Sequence, residues 1–214
     1  MNILVVDDHP LVRKGIIDIL LLNDKVKETK ESDNILEAIK ILKQNTIHVI
    51  IVDLCLGHEN GFNLINEVKK LNQSVKIVIL TSSCNYMDIR MAQELDVDAF
   101  ILKDAYIEDI IYALNVVTRG EKYYSPQLSK YTFNYGLEVK EFNLLTYREK
   151  EVLAKLSMGL SNSQISNTLY ISEGTTKKHV SNILSKLNLN NRVEAVLFAR
   201  KLYGENFETP YIVP

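Results

Sequence analysis

The chain has 214 residues, of which 46% are hydrophobic and 24% charged, with a formal net charge of −2. That balance fits a soluble globular protein, and no apolar run reaches the ~18–20 residues of a membrane span. Two cysteines, Cys55 and Cys84, lie in no CxxC or Cys/His pattern, which argues against structural zinc and predicts a reducing cytoplasm. The start, Met-Asn-Ile-Leu-Val-Val-Asp-Asp, lacks a basic segment and predicts no signal peptide. Charge is unevenly spread: residues 1–120 carry 13 Lys/Arg against 18 Asp/Glu, a net of −5, while residues 144–203 carry 9 against 4, a net of +5. Two domains with different partners are expected, and the basic one is the candidate for nucleic acid.

Strands are predicted at 2–7, 26–30, 47–53, 75–81 and 97–102. Ile3-Leu4-Val5-Val6 and the run from Ile47 to Val52 are almost continuously apolar, as in parallel strands covered on both faces. Helical spacing follows each strand. Pro10 to Leu22 sets Leu11, Ile16, Ile19 and Leu20 on one side, and Asn34 to Gln44 repeats Ile35, Ala38, Ile39 and Leu42. Gly61 to Leu71 carries Phe62, Leu64, Ile65 and Val68, and Met87 to Leu95 and Tyr106 to Thr118 complete five βα units. Such alternation predicts an α/β doubly wound, parallel five-stranded sheet in the flavodoxin-like order over 1–120.

Periodicity fades from Arg119 to Asn143, interrupted by Gly120, Ser125-Pro126 and Gly136, so 121–143 is read as a linker. Tyr123, Tyr124, Tyr131, Phe133 and Tyr135 make it too aromatic for pure disorder; part is expected to pack on a domain or to form a short helix around 126–132. A small all-α four-helix domain is predicted over 144–204. Thr146-Tyr147-Arg148-Glu149 and Ser161-Asn162-Ser163-Gln164 are capping boxes, with Gly159 as a stop before the second. Ser172 caps a third helix running to Leu187, and Asn191-Arg192-Val193-Glu194 starts a fourth that ends near Tyr203. Only Tyr170-Ile171-Ser172 joins the second and third, which makes a helix-turn-helix. The tail, 205–214, holds two prolines and is expected to be poorly ordered.

Asp7 and Asp8 end the first strand and Asp53 ends the third. Right-handed crossovers bring these two ends together at the switch point of the sheet. Crowded carboxylates repel one another and require a cation, and an all-oxygen set suits a hard metal, Mg²⁺. Thr81 ends the fourth strand and Lys103 follows the fifth, on the same carboxyl edge. A hydroxyl and an ammonium beside a metal and a carboxylate nucleophile form a cradle for a phosphoryl group. A lone aspartate at a strand end is an ordinary loop cap; the joint placement points to phosphoryl chemistry. Neither cysteine has an evident activating base. His9 and His58 are expected in exposed loops rather than as metal ligands, and His48 is expected to pack within a strand.

With these motifs, residues 1–120 resemble the receiver domain of a two-component response regulator. The resemblance implies that Asp7 and Asp8 hold Mg²⁺ together with the backbone carbonyl of Cys55, and that Asp53 is both ligand and phosphoacceptor. It also implies that Thr81 is the switch hydroxyl, Lys103 the family's lysine, Phe100 the aromatic that changes rotamer, and Gly61 the glycine after the phosphorylation loop. Leu56-Gly57 stands where many members have Met-Pro, which bears on the loop's rigidity. Cys55 and Ser83 occupy positions that affect phosphate lifetime in the family.

A second resemblance covers residues 145–203. Leu145 to Leu153, Gly159-Leu160-Ser161-Asn162, Ile165, Leu169, Ile171-Ser172, Thr175, Lys177, His179, Ile183, Leu184, Lys186-Leu187, Arg192 and Ala195 resemble the LuxR-type helix-turn-helix of NarL/FixJ response regulators. The helix at 173–187 is then the recognition helix. Val180, Ile183, Leu184 and Leu187 form an apolar stripe for the bundle core, and Lys177, Lys178 and Ser181 lie near the helix start, away from it. N-terminal residues of a recognition helix reach base edges in the major groove, where lysine donates to guanine and serine pairs with several bases. His179, Asn182 and Lys186 are read as DNA-backbone contacts, and Ser161, Asn162 and Thr175 as phosphate donors at helix starts. Thr176 stands where the family has an apolar residue.

Together the two resemblances imply a phosphorylation-controlled transcription factor rather than an enzyme. A sensor histidine kinase supplies the phosphate, Thr81 moves inward and Phe100 follows. The DNA-binding helices are released from the receiver, and a dimer, touching through 192–203, places two recognition helices on double-stranded DNA. Two rivals stand beside this reading. A phosphoaspartate hydrolase would carry a second aspartate at position 55, which is Cys. An atypical regulator would bind DNA without phosphorylation.

Overall fold

The computed structural model describes residues 1–71, 74–82, 85–129 and 136–203. Its internal contacts divide the chain into two compact units, Met1–Cys84 with Ile89–Leu128, and Asn85–Asp88 with Ser129–Pro214. No described helix is long and apolar enough to cross a membrane.

In the first stretch of chain, strands β1 (Asn2–Val6), β2 (Glu28–Ser32) and β3 (Val49–Val52) are followed by a two-residue hairpin, β4 (Cys55–Leu56) and β5 (Glu59–Asn60). Then come β6 (Lys76–Thr81), β7 (Ala99–Leu102) and β8 (Tyr123–Tyr124). The intervening helices are α1 (Pro10–Leu20), α2 (Ile35–Gln44), α3 (Gly61–Lys70), α4 (Tyr86–Glu94) and α5 (Ile107–Thr118). The large sheet is parallel throughout, in the order β2-β1-β3-β6-β7-β8. Its first five strands have the doubly wound order expected of the sequence. Ile3, Val5, Val49, Ile51, Val78, Leu80 and Ile101 share one buried cluster with α1 and α5. Their neighbours Leu4, Ile50, Ile79 and Phe100 are equally buried, so both faces are covered, which is why these strands are apolar at every position.

Four details differ from expectation. A sixth strand, β8, lies inside the expected linker: Tyr123 donates its N–H to Asp98 O at 3.0 Å, Ser125 donates to Phe100 O at 3.0 Å, and the Tyr123 ring meets Tyr112 edge-on at 5.7 Å. Two residues are too short a run to register as a period. Leu11, expected on the buried side of its helix, is 86% exposed in the first turn, which Pro10 starts. His48 is exposed rather than packed and precedes β3; its Nδ1 accepts the N–H of Asn2 at 3.0 Å. The short helix expected around 126–132 is a 3₁₀ turn at Pro126–Leu128. Tyr131, Phe133, Tyr135, Ser83, Cys84 and the tail 205–214 lie outside the described residues.

The second unit contains α6 (Gly136–Asn143), which also falls within the expected linker, then α7 (Tyr147–Ser157), α8 (Asn162–Leu169), α9 (Glu173–Lys186) and α10 (Arg192–Tyr203). Both expected capping boxes are formed, Thr146 with Glu149 and Ser161 with Gln164, and Ser172 accepts from Thr175 N–H at the start of α9. Val152, Leu153, Leu156, Ile165, Ile183, Leu187, Ala195, Ala199 and Leu202 form the core, and Phe142 meets Tyr203 edge-to-face at 6.0 Å. α9 joins that core through Ile183 and Leu187, with Val180 and Leu184 packed partly against it. The turn before α9 is made by Tyr170 in the left-handed conformation, and Arg148 donates to Leu169 O there.

Glu149 ties the capping box to α9. Its Oε2 accepts the N–H of Thr146 at 2.8 Å and lies 2.7 Å from Lys186 Nζ, while the side chain is 3% exposed. Burial pushes the carboxyl up, but the Lys186 ammonium and the Thr146 bonds outweigh it and hold it below its ordinary value. A depressed carboxylate pKa stabilises the fold above the unfolded value, and that stabilisation is lost as pH falls through the lower folded value. Glu149→Gln is therefore expected to cost about 2 kcal/mol at neutral pH, a typical loss for a charge-assisted hydrogen bond. It should also flatten the acid limb of stability against pH; urea unfolding from pH 3 to 7 reads both, and an unchanged acid limb contradicts the assignment.

Candidate functional site

The register of the sheet assembles the site. Val6 of β1 stands opposite Val52 of β3, so Asp7 and Asp53 leave the sheet side by side. Asp53 donates its N–H to Val6 O at 2.9 Å, and Asp7 donates to Ser32 O at 3.2 Å. Thr81 of β6 stands opposite Leu102 of β7, and Lys103 N–H donates to Thr81 O at 2.9 Å. Asp7 is 1% and Asp53 2% exposed.

Lys103 bridges the two buried carboxylates. Its Nζ lies 2.6 Å from Asp53 Oδ2 and 2.7 Å from Asp7 Oδ2. Burial pulls the ammonium pKa down, but contact with Asp53 and then Asp7 outweighs it and holds the pKa above the ordinary lysine value. With Asp8 beside them, three carboxylates face one ammonium, leaving two negative charges uncompensated. One oxygen from each of Asp7, Asp8 and Asp53, with a ring nitrogen of His9, lies within 4.8 Å of all the others. Asp7 Oδ2, held by Lys103, and Asp8 Oδ1, 2.7 Å from His9 Nδ1, are both buried. Clustered carboxylate oxygens and a residual double charge fit a hard divalent cation.

Backbone donors orient the carboxylates. His9 N–H donates to Asp7 Oδ1 at 2.9 Å, Cys55 N–H to Asp53 Oδ1 at 3.2 Å, and Gly57 N–H to Asp8 Oδ2 at 2.9 Å. Arg13 donates to the backbone O of Asp7 at 2.7 Å and reaches Glu31 at 2.9 Å. Gly61 packs where a Cβ would stand 2.2 Å from the backbone O of Asp53, and its N–H donates to Leu54 O at 2.9 Å. The Cys55 side chain is exposed. Thr81 and Phe100 are both fully buried, so the Phe100 ring already occupies the interior.

Sequence reasoning missed three contributors. His9 is exposed, as expected, yet its Nδ1 lies 2.7 Å from Asp8 Oδ1, and its place directly after the acidic pair was the available signal. Arg13 and Gly57 had none, because each acts across a loop, one through a backbone oxygen and the other through a backbone N–H.

On the second unit, Lys177, Lys178, Ser181 and Asn182 are exposed on α9, with Lys177 paired to Glu173 at 3.0 Å. Thr175 and Ser161 are exposed at helix starts; the Thr175 hydroxyl meets Ser172 Oγ at 2.8 Å, and Ser161 caps α8. Asn162 Oδ1 accepts from Arg192 at 2.9 Å. His179 is half-buried, with an Nδ1 that has no hydrogen-bond partner. Lys186 is committed to Glu149, so a DNA-backbone contact from it competes with that ion pair. Thr176 is fully buried and donates to Ser172 O at 3.3 Å, which suits the apolar environment expected there.

The receiver domain family of response regulators matches residues 3–115, and the luxR family of bacterial regulatory proteins matches residues 143–199. The nitrate/nitrite response regulator protein NarP of Escherichia coli is 34% identical over 199 residues, 92% of this chain and 93% of NarP. The response regulator protein VraR of Staphylococcus aureus is 32% identical over 200 residues, 93% of this chain and 96% of VraR. Among solved structures, RcsB from Salmonella enterica serovar Typhimurium, bound to promoter rprA in the presence of the phosphomimetic BeF3-, aligns with a TM-score of 0.66 at 25% identity. The alignment covers 94% of this chain and 98% of that one. A structure of two RcsB dimers bound to two parallel DNAs aligns with a TM-score of 0.65 at 25% identity, over 94% of this chain and 98% of that one.

The close approach at Gly61 yields a test. Gly61→Ala places a methyl group against backbone, which cannot rotate aside, and is expected to cost about 3 kcal/mol or more. Thermal unfolding of the variant measures the loss. A variant as stable as the parent removes the claim that this contact fixes the Asp53 backbone.

Proposed function

The chain belongs to the two-component response regulators of the NarL/FixJ type, with a receiver followed by a LuxR-type DNA-binding domain, and from that membership we propose that phosphate accepted on Asp53 from a sensor histidine kinase controls its binding to double-stranded DNA. On this reading residues 1–120 are the receiver, 121–143 the linker, 144–204 the DNA-binding domain and 205–214 the tail. The observation that carries it is the buried Asp7–Lys103–Asp53 bridge, with two negative charges left over at the mouth of the sheet.

Asp53 attacks the phosphorus of a phosphohistidine, forming an O–P bond as the P–N bond breaks. Lys103 already touches Asp53 Oδ2, so its ammonium is in position to follow the transferred oxygens. Asp7, Asp8, Asp53 and the Cys55 carbonyl would hold Mg²⁺, which when bound supplies neutralising charge to the phosphoryl oxygens. Thr81, across one strand from Lys103, donates its hydroxyl to the phosphoryl group. Because Phe100 is already inside, the switch begins from a buried ring, and Thr81 changes the company of that ring rather than admitting it. Phosphorylation shifts the population toward a homodimer, in which two recognition helices lie one turn of DNA apart. Lys177, Lys178 and Ser181 read base edges, while His179, Asn182, Thr175, Ser161 and Asn162 contact the DNA backbone. Family members are transcription factors, and the chemistry of this chain ends at the phosphoaspartate, with at most slow autodephosphorylation.

Incubation with Mg²⁺ and acetyl phosphate is expected to add one phosphoryl group by intact mass, to drive dimerisation, and to do neither in Asp53→Ala. An unphosphorylated protein with unchanged tight DNA binding would establish the atypical regulator, and rapid multiple turnover of phosphate esters would establish the hydrolase.

For the DNA surface, the fragments recovered by genome-wide mapping of bound DNA serve as probe. Lys178→Ala should weaken binding to them by about 1–3 kcal/mol, the range for loss of a base-edge contact. Binding unaffected by Lys177→Ala and Lys178→Ala together sinks the recognition-helix assignment.

A further inference from the structure

The hairpin after Asp53 turns through only two residues, Gly57 and His58, since Cys55 pairs with Asn60 and Leu56 with Glu59. The second strand of the hairpin is anchored twice: Glu59 Oε2 accepts Ile35 N–H at 3.1 Å, and Asn60 Oδ1 accepts Phe62 N–H at 2.9 Å. Gly57, first in the turn, has φ +61°, the left-handed region that two-residue hairpin turns assign to glycine. Its N–H donates to Asp8 Oδ2 at 2.9 Å, across a separation of 49 residues. With Oδ2 engaged, Oδ1 of the same carboxylate is left buried beside His9 Nδ1, 2.7 Å away, and Asp8 offers one oxygen to the group it forms with Asp7, His9 and Asp53.

We propose that Gly57 is a positioning residue for the acidic pocket: its N–H takes one oxygen of Asp8 and thereby presents the other to the divalent cation. The inference rests on the reading that Asp7, Asp8 and Asp53 hold Mg²⁺. Proline, which the receiver resemblance associates with this position, can supply neither element, since it has no N–H and its φ is fixed near −65°. Space is not the constraint, because a Cβ at Gly57 would meet only Asp8 Oδ2, at an ordinary 3.8 Å. What the position demands is a donor and a positive φ. Asparagine meets both demands better than any other residue with a side chain, and alanine keeps the donor but resists the φ. Donors that orient a metal ligand typically account for 10–100-fold in metal affinity.

The test is Mg²⁺ titration of the full chain by calorimetry, with circular dichroism as a check on folding. Gly57→Pro is expected to bind Mg²⁺ at least about 10-fold more weakly than the parent, Gly57→Ala to fall between, and Gly57→Asn to stay within about 2-fold of it. In an Asp8→Asn background the Gly57→Pro effect should vanish, because the carboxylate it positions is gone. Should Gly57→Pro fold poorly, the Ala and Asn pair decides the matter by the same ordering. A parent that binds no Mg²⁺ defeats the reading of the pocket itself. A parent that binds, with all three variants equal to it, overturns the role of Gly57, as does a Gly57→Pro loss that persists unchanged in Asp8→Asn.

Discussion

Two aspartates at the ends of adjacent parallel strands are buried within a few ångströms of each other, and a single ammonium makes this possible. Asp7 and Asp53 each have one oxygen against Lys103 Nζ, at 2.7 and 2.6 Å. Burying one ionised carboxylate costs several kcal/mol, and burying two without a cation would force one to take up a proton. The rest of the site follows from keeping that bridge in register. Lys103 must leave β7 where Thr81 ends, Asp53 must leave β3 where Val6 ends, and Gly61 must let the next helix approach the Asp53 carbonyl. The bridge is incomplete by two charges once Asp8 is counted. On the proposed reading a divalent cation would make up that deficit.

The second unit solves a different problem with similar means. Its helices are short, and a helix of eight residues such as α8 is unstable alone. Capping boxes at Thr146 and Ser161 and the Ser172 cap satisfy amide donors that would otherwise face solvent or core unpaired. α9 is divided lengthwise: Ile183, Leu187 and the partly buried Val180 and Leu184 serve the core, and Lys177, Lys178, Ser181 and Asn182 stay outside. Lys186 belongs to the first group by function, since its charge is matched to Glu149. On α9 the exposed lysines, Lys178 and the Glu173-paired Lys177, lie in the N-terminal half, where helix geometry also favours contact with DNA.

Much of this was legible in the sequence, for identifiable reasons. Buried parallel strands must be apolar at every position, so the strand ends at Asp7, Asp53 and Thr81 stood out, and topology alone brought them to one edge. Capping boxes have fixed spacing, so the starts of α7 and α8 were visible to the residue. What stayed hidden depends on backbone geometry or distant pairing. β8 is two residues long and is defined by a ladder with β7, not by a pattern. The Glu149–Lys186 pair spans 37 residues, and nothing local marks Lys186 as a structural cation. Leu11 fits the helical stripe by spacing yet is exposed in the first turn, while Ile16 and Leu20 further along the same helix are buried. Gly57 read as a weakening of the loop, whereas its N–H and positive φ tie the loop to Asp8.

Burial of Phe100 constrains how a phosphoryl group can be read out. Phe100 pairs in register with Ile79 on β6, two residues before Thr81, and both Phe100 and Thr81 are fully enclosed. Protein interiors are packed too densely for a ring to leave unless a neighbour takes its volume. A phosphoryl group that draws on the Thr81 hydroxyl thus cannot act on Phe100 by opening an empty space for it. On the proposed reading it would act by changing the relative stability of two packed arrangements, and in the one described here the ring is inside. The coupling energy available is then the difference between two cores, typically a few kcal/mol, which is the scale on which a dimerisation surface can be switched.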